Sequence, residues 1–128
     1  MKEEEALRLV NSFNFSADKA YPLKNEASGR VYWRATNQSE SIILCFLDPS
    51  LGNHNKFIDI SEQLSANDIS GVKVLHHDEK LGITIQNDLG DNDLLKVLDE
   101  NNKRELLNKS LDLLIDIQNI QFDNIDKF

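Results

Sequence analysis

Two short runs of strand-forming residues, separated by four polar residues, constrain the fold of this chain more than any other feature. Val31–Thr36 is rich in β-branched and aromatic residues, and residues 41–47 form an apolar run of strand length. Between them, residues 37–40 (Asn-Gln-Ser-Glu) have the composition of a polar turn. Because so short a connection joins antiparallel neighbours, the two runs predict a β-hairpin.

The remaining patterns add three strands and two helices around this hairpin. Apolar residues at helical spacing predict a helix over residues 3–13 and another over Asn55–Ala66. Short β-type runs predict further strands, the last two joined by the polar turn Asp-Glu-Lys, over residues 21–24, 72–76 and 81–86. The sequence therefore predicts an α+β fold with a five-stranded antiparallel sheet and one helix inserted after its third strand.

The C-terminal part of the chain is predicted to be helical. A short amphipathic helix over residues 94–98 precedes a longer helix over residues 103–120, whose apolar positions share one side. We place a boundary at residue 90, which separates a sheet-containing unit of residues 1–90 from the helices of residues 91–128.

The charge balance and the single cysteine argue against several function classes. The 22 acidic side chains outnumber the 14 lysines and arginines among 128 residues, and the net charge of −8 disfavours nucleic acids and anionic membranes as partners. One cysteine, Cys45, permits neither an internal disulfide nor a multi-cysteine zinc site. The sequence lacks a signal-peptide pattern and an apolar run of membrane-spanning length, which favours a cytoplasmic protein.

Side chains that commonly carry catalysis are present but poorly arranged. His54, His76 and His77 are too few and too widely separated for a convincing metal cage. His76 and His77 are neighbours on a predicted strand and point to opposite faces, so we expect one half-buried and one solvated histidine. Cys45 lies in an apolar run, which favours an unreactive core thiol. The five glycines form neither a GxxxxGK nor a GxGxxG phosphate loop.

Two segments resemble a known enzyme family. Residues 25–34 read NEASGRVYWR, and residues 82–91 read GITIQNDLGD. The first segment is similar to the S-D-A-S-x-R-x-Y-x-R opening of aminoglycoside-phosphotransferase-like small-molecule kinases, and the second is similar to their G-F-L-L-L-E-D-L-G-D segment. The resemblance covers roughly residues 5–120 and points to the branch of anomeric sugar kinases, which phosphorylate N-acetylmuramate and N-acetylglucosamine.

The resemblance implies the N-terminal lobe of a protein-kinase-like fold, with ATP bound beneath the sheet. On that basis the turn at Ala27, Ser28 and Gly29 would cover the phosphates with backbone N–H groups and a hydroxyl. Asn87 and Leu89 would offer a backbone C=O and a backbone N–H to the adenine edge, as the hinge between two lobes. From the residues alone, both segments are equally typical of ordinary turns.

The sequence departs from the family at the third strand. Protein kinases carry there a lysine that holds the α- and β-phosphates and pairs with a glutamate of the inserted helix. This chain has Leu44, Cys45 and Phe46 instead. The sugar-kinase branch usually shows an acidic residue there, and Asp48 could take that place after a two-residue slip. Glu62 on the inserted helix has no evident cationic partner, which favours a solvated position.

The family's catalytic apparatus is not matched either. Residues 76–78 (His-His-Asp) resemble the start of an H-x-D catalytic loop, but the asparagine expected five residues later is Ile83. Asp91 and Asp93 resemble a metal pair, but their place at a helix start favours capping, with Asp91 as the N-cap. We therefore predict the ATP-binding N-terminal lobe of a phosphotransferase, inactive by itself because the chain ends before the catalytic lobe. The whole enzyme would act with Mg²⁺ on a sugar or aminoglycoside-like hydroxyl.

Two alternatives stay open at this point. One is a non-catalytic module with a kinase-lobe-like fold, which would bind another protein through the apolar side of the helix over residues 103–120. The other is a domain unrelated to kinases. A parallel sheet, or a helix that did not follow the third strand, would favour this second alternative.

Overall fold

The computed structural model describes residues 1–24 and 28–121. Five strands and four helices follow one another in the order that the sequence predicts. They are α1 (Glu3–Asn11), β1 (Lys19–Pro22), β2 (Val31–Thr36), β3 (Ser41–Phe46), α2 (Asn55–Ala66), β4 (Val74–Asp78), β5 (Ile83–Asn87), α3 (Leu94–Val97) and α4 (Lys103–Gln118).

The five strands form one antiparallel sheet with the order β1-β2-β3-β5-β4. Helix α2 connects β3 to β4. Strand β4 lies at one edge of the sheet, and β5 lies between β3 and β4. The predicted α+β class, the antiparallel sheet and the helix after the third strand are confirmed.

One face of the sheet is apolar and packs against α1. Side chains alternate between the two faces of a strand, so every second residue of β2, β3 and β5 contributes to this face. Together with Ala6 and Val10 of α1, neither of which is accessible to solvent, these residues form the core: Trp33, Ala35, Ile42, Leu44, Ile83 and Ile85.

The opposite face of the sheet is also buried but largely polar. Arg34, Cys45, Thr84 and Gln86 belong to it, and the Nε2 of Gln86 donates a hydrogen bond of 2.9 Å to Oγ1 of Thr84. Burial raises the pKa of the Cys45 thiol above its ordinary value. The predicted buried thiol is confirmed, although it lies on the polar face and not in the apolar core.

Three strand boundaries differ from the prediction by about two residues. Strand β1 is earlier than predicted because it pairs along β2, from Lys19 opposite Thr36 to Pro22 opposite Trp33. Strands β4 and β5 begin two residues later than predicted, and the turn between them lies at residues 79–82. The polar segment at residues 76–78 belongs to β4, because an edge strand with exposed side chains needs no apolar pattern.

Helices α3 and α4 carry no buried residue in the part of the chain that is described. Helix α3 begins after Asp93, whose Oδ1 accepts a hydrogen bond of 2.9 Å from the backbone N–H of Lys96. Asp93 is therefore the N-cap, and the prediction of Asp91 for that role is wrong. Over residues 1–24 and 28–121, no helix combines the length and apolarity needed to cross a bilayer.

Candidate functional site

An open cleft of about 350 Å³ lies between the polar face of the sheet and helix α2. This volume falls at the lower end of the range typical of small-molecule sites. The sheet, the turn before β2, the loop before α2 and α2 itself all contribute to the lining, which consists of Ser28, Arg30, Tyr32, Cys45, His54, Lys56, Phe57, Ile60 and Gln86. This set of residues is called the cleft below.

The cleft carries positive charge in a chain that is acidic as a whole. Arg30 and Lys56 line it, and no carboxylate is among the described residues of its lining. Neither cation forms an ion pair with another residue in the described ranges. Arg30 donates one hydrogen bond of 3.3 Å to the backbone carbonyl of Asn53. The cleft is therefore chemically suited to an anion.

Two contacts hold α2 beside the sheet. The Nε2 of His54, which is 6% exposed, lies 3.0 Å from the carbonyl oxygen of Gly82 in the turn between β4 and β5. Ser61, farther along α2, donates a hydrogen bond of 2.8 Å to the carbonyl of Val72 just before β4. One contact therefore holds the residue before α2 to the turn between β4 and β5, and the other holds the middle of α2 to the segment before β4.

The sequence-predicted phosphate turn falls partly in the cleft. Ser28 lines it, and Gly29 follows with a φ of +78°, a left-handed conformation that favours glycine. Ala27, the third predicted residue, lies outside the described residues. The glycine and the hydroxyl are therefore at the edge of the cationic cleft.

The predicted hinge residues lie beside the cleft rather than in it. Gln86 lines the cleft and Asn87 is the next residue along β5. The peptide N–H of Lys73 donates to Oδ1 of Asn87 at 2.7 Å and not to the Asn87 carbonyl. Leu89 is 62% exposed, and its backbone makes no hydrogen bond to another described residue. The two predicted backbone groups therefore take no part in these hydrogen bonds: the Lys73 N–H does not bind the Asn87 carbonyl, and the Leu89 N–H binds no described residue.

Sequence reasoning missed an ionic cluster next to the predicted hinge residues, in which Arg34 and Asp88 are buried and Asp91 is exposed. Arg34 Nε lies 2.7 Å from Asp88 Oδ2, and its second terminal nitrogen lies 2.9 Å from Asp88 Oδ1. Its remaining nitrogen contacts both carboxylate oxygens of Asp91, at 2.8 and 3.0 Å. Ser41 donates a further hydrogen bond of 2.6 Å to Asp88. Arg34, Ser41, Asp88 and Asp91 are called the Arg34 cluster.

Burial and hydrogen bonding act in opposite directions on Asp88. Its side chain is 8% exposed, and desolvation by itself would raise the pKa of the carboxyl. Hydrogen bonds from Arg34, Ser41 and the Gly90 N–H outweigh this effect and lower the pKa of Asp88 to about 2. Asp88 and Asp91 in turn raise the pKa of Arg34 above its usual range. The cluster joins β2 to the segment after β5 as a charged pair.

The Asp88 pKa makes stability depend on acid pH. A lowered folded-state pKa contributes stability that is present above the unfolded value, near 3.8, and is lost as the pH falls toward about 2. We expect a loss of about 1–2 kcal/mol from this group, because the cluster is open to solvent at Asp91, whose side chain is 73% exposed. Urea unfolding across this pH window measures it. The Arg34→Met/Asp88→Asn double variant is the control, and equal acid sensitivity in both proteins would contradict the assignment.

The third-strand residues that stand where kinases carry the lysine lie on different faces of the sheet. Leu44 is in the apolar core, while Cys45 lines the cleft and is 1% exposed. Asp48, proposed as a substitute, is exposed, and its Oδ1 accepts hydrogen bonds from the N–H and Oγ of Ser50. Asp48 does not line the cleft, so that expectation is wrong. Glu62 is exposed on α2, as expected.

The histidine pair on β4 differs from the expectation. Both His76 and His77 are exposed, and the ring of His76 stacks on Phe13 with the two centroids 5.4 Å apart. Neither is half-buried because β4 is an edge strand with most of its side chains toward solvent. Within the described ranges, no three histidine, cysteine or acidic side chains are placed to hold a metal ion.

Comparison with known proteins adds no relative to this picture. A scan against protein-family models and a search of curated proteins both find no match to the chain. The kinase resemblance therefore stays a prediction from the motifs.

Proposed function

We propose that this chain is the nucleotide-binding N-terminal lobe of an ATP-dependent phosphotransferase that acts on a sugar or aminoglycoside-like hydroxyl. The observation that carries the proposal is the cationic cleft, whose lining includes Ser28 and also Gln86, the neighbour of the predicted hinge residue Asn87. A nucleotide placed there would have its phosphates near the turn at Ser28 and Gly29 and its base near Asn87 and Leu89.

The topology is consistent with this proposal. The sheet is antiparallel, and α2 follows the third strand. A parallel sheet or a differently placed helix would have favoured a domain unrelated to kinases, and neither feature is present in the described chain. This agreement concerns the architecture, and the nucleotide function rests on the chemistry of the cleft.

The residues of the cleft fit a polyphosphate better than they fit its metal. Hydroxyl, backbone N–H and cationic groups stabilise phosphate oxygens, whereas Mg²⁺ requires oxygen ligands such as carboxylates. The lining offers Ser28, Arg30 and Lys56, but no carboxylate in its described part. In the proposed enzyme, the magnesium ligands and the general base come from a second lobe, so this chain binds nucleotide without transferring phosphate.

Titration with ATP, followed residue by residue by NMR, tests the proposal. We expect ATP to shift the amide signals of Ser28, Gly29, Gln86 and Leu89, with an apparent Kd of about 1 mM or weaker, because half of the proposed binding site is contributed by the second lobe. Amides of α4 serve as the internal control. Absence of shifts around the cleft at saturating ATP would refute nucleotide binding, and a clearly submillimolar Kd would contradict the description as one lobe.

The second candidate is a non-catalytic module that binds another protein. The observation that favours it is the unburied apolar surface of α4, formed by Leu107, Leu111, Leu114 and Ile115. Light scattering distinguishes the two candidates in part: a stable dimer that is unaffected by nucleotide would favour the module.

A further inference from the structure

We propose that Arg30 and Lys56 together supply the positive charge that binds the polyphosphate of the nucleotide, in place of the lysine that this chain lacks on its third strand. The proposal rests on the nucleotide function for the identity of the ligand. The assignment of the two side chains can be tested by itself, because it predicts binding of any compact polyphosphate to the cleft.

The position of the missing lysine explains why charge must come from elsewhere. Cys45 is the third-strand residue that lines the cleft, and its short, neutral side chain forms part of the cleft wall. Leu44 points into the apolar core, and Phe46 packs against it. No cation of β3 is therefore available to an anion in the cleft.

Arg30 lines the cleft next to the turn at Ser28 and Gly29, where the phosphates of the nucleotide are proposed to bind. It follows Ser28 and Gly29 directly, and Arg30 and Ser28 both line the cleft. Among residues 1–24 and 28–121 its hydrogen-bond partner is the carbonyl of Asn53, which orients the guanidinium toward the loop before α2. A guanidinium has five N–H donors, so most remain for phosphate oxygens.

Lys56 acts from the opposite wall. It lies in the first turn of α2, which contains no acidic residue. Its ammonium forms no ion pair with the described part of the chain. As a strongly hydrated point charge on a flexible stem, a lysine at this place can follow a phosphate without a fixed geometry.

Arg34, a buried cation of β2 on the same face of the sheet, is already neutralised. Arg34 is buried, and all its terminal nitrogens are engaged by Asp88 and Asp91. Using Arg34 for a ligand would leave the buried Asp88 carboxylate unpaired, which is costly. Arg30 and Lys56 are therefore the lysine and arginine side chains that the described lining of the cleft offers to an anion.

The test compares three ligands on the intact chain: ATP, inorganic tripolyphosphate and adenosine, by NMR titration at about 20 mM and about 150 mM salt. The variants Arg30→Gln and Lys56→Gln remove one charge each from the cleft, and Lys103→Gln removes one from α4 as the matched control. We expect each cleft variant to weaken tripolyphosphate and ATP binding about tenfold at low salt, as for the loss of one charge-assisted contact. Higher salt should shrink this difference, and Lys103→Gln should change nothing.

The outcomes separate this inference from the proposed function. Unchanged ATP and tripolyphosphate binding in both cleft variants would overturn the inference while leaving nucleotide binding intact. Tripolyphosphate binding that depends on Arg30 and Lys56, without any contribution from adenosine, would support the inference and remove the nucleotide from the proposed function. Equal losses of affinity in all three variants would show that binding depends only on the net charge of the protein, and this result would also overturn the inference.

Discussion

An Arg34→Met variant should lose about 3–5 kcal/mol of the free energy of unfolding, a large fraction of the total for a domain of this size. The reason is the state in which Asp88 is left. Its carboxylate remains buried, with Ser41 and the Gly90 N–H as its hydrogen-bond donors but without its cation. Removing one partner of a buried ion pair costs far more than the pair itself contributes.

Urea unfolding of matched variants measures this loss. Lys109→Met is the control for the charge, because Lys109 pairs with Glu105 on the surface of α4 and both side chains are more than two-thirds exposed. We expect that control to change stability by about 0.5 kcal/mol or less. The double variant Arg34→Met/Asp88→Asn should recover part of the loss, because it removes the unpaired charge. A single Arg34 variant no less stable than the control would contradict this account of the cluster.

A Gly82→Ala variant should have the second-largest effect, about 3 kcal/mol. Gly82 adopts a φ of +68°, which costs a residue with a Cβ about 1–2 kcal/mol. The added Cβ would also overlap the carbonyl oxygen of Leu47 and approach Pro49 Cδ at 3.1 Å. Because the Gly82 carbonyl accepts from both the Leu47 N–H and His54, relief of the clash would disturb the end of β3 and the loop before α2.

Two other glycines separate backbone strain from the clash. Gly29 and Gly90 have φ values of +78° and +83°, and a Cβ at either would meet no atom within 4 Å. We expect Gly90→Ala and Gly29→Ala to lose only about 1 kcal/mol, the conformational part of the cost. Thermal unfolding of the three variants under one condition makes the comparison. Equal losses at all three positions would show that the contact with Leu47 contributes nothing.

The parts of the fold that the sequence predicted well are those with one strong periodicity. Val31–Thr36 and Asn55–Ala66 have the predicted bounds. The first is a run of β-branched and aromatic residues and the second is an amphipathic run, and each lies between turn residues that fix where the strand or helix begins and ends. Strand β4 was misplaced because its residues 76–78 are polar and its partner β5, rather than its own composition, sets where pairing ends.

The candidate site was harder to predict, since it is assembled from distant segments. Arg34 and Asp88 are 54 residues apart, and only the sheet order brings them together. A signal existed: an arginine on a strand whose neighbours are apolar needs a buried counter-charge, and Asp88 follows the last strand. Lys56 gave no such signal, because its place in the lining of the cleft depends on where α2 lies against the sheet.

The two edges of the sheet have a consequence for how copies of this protein can meet. At one edge, β1 has four residues, begins with Lys19 and ends with Pro22, which lacks a backbone donor. At the other edge, β4 contains a register shift between Val74 and His76, which interrupts its ladder. Neither border offers a long, regular template for a foreign strand. Fibril growth by backbone addition is therefore disfavoured at both edges of the described sheet.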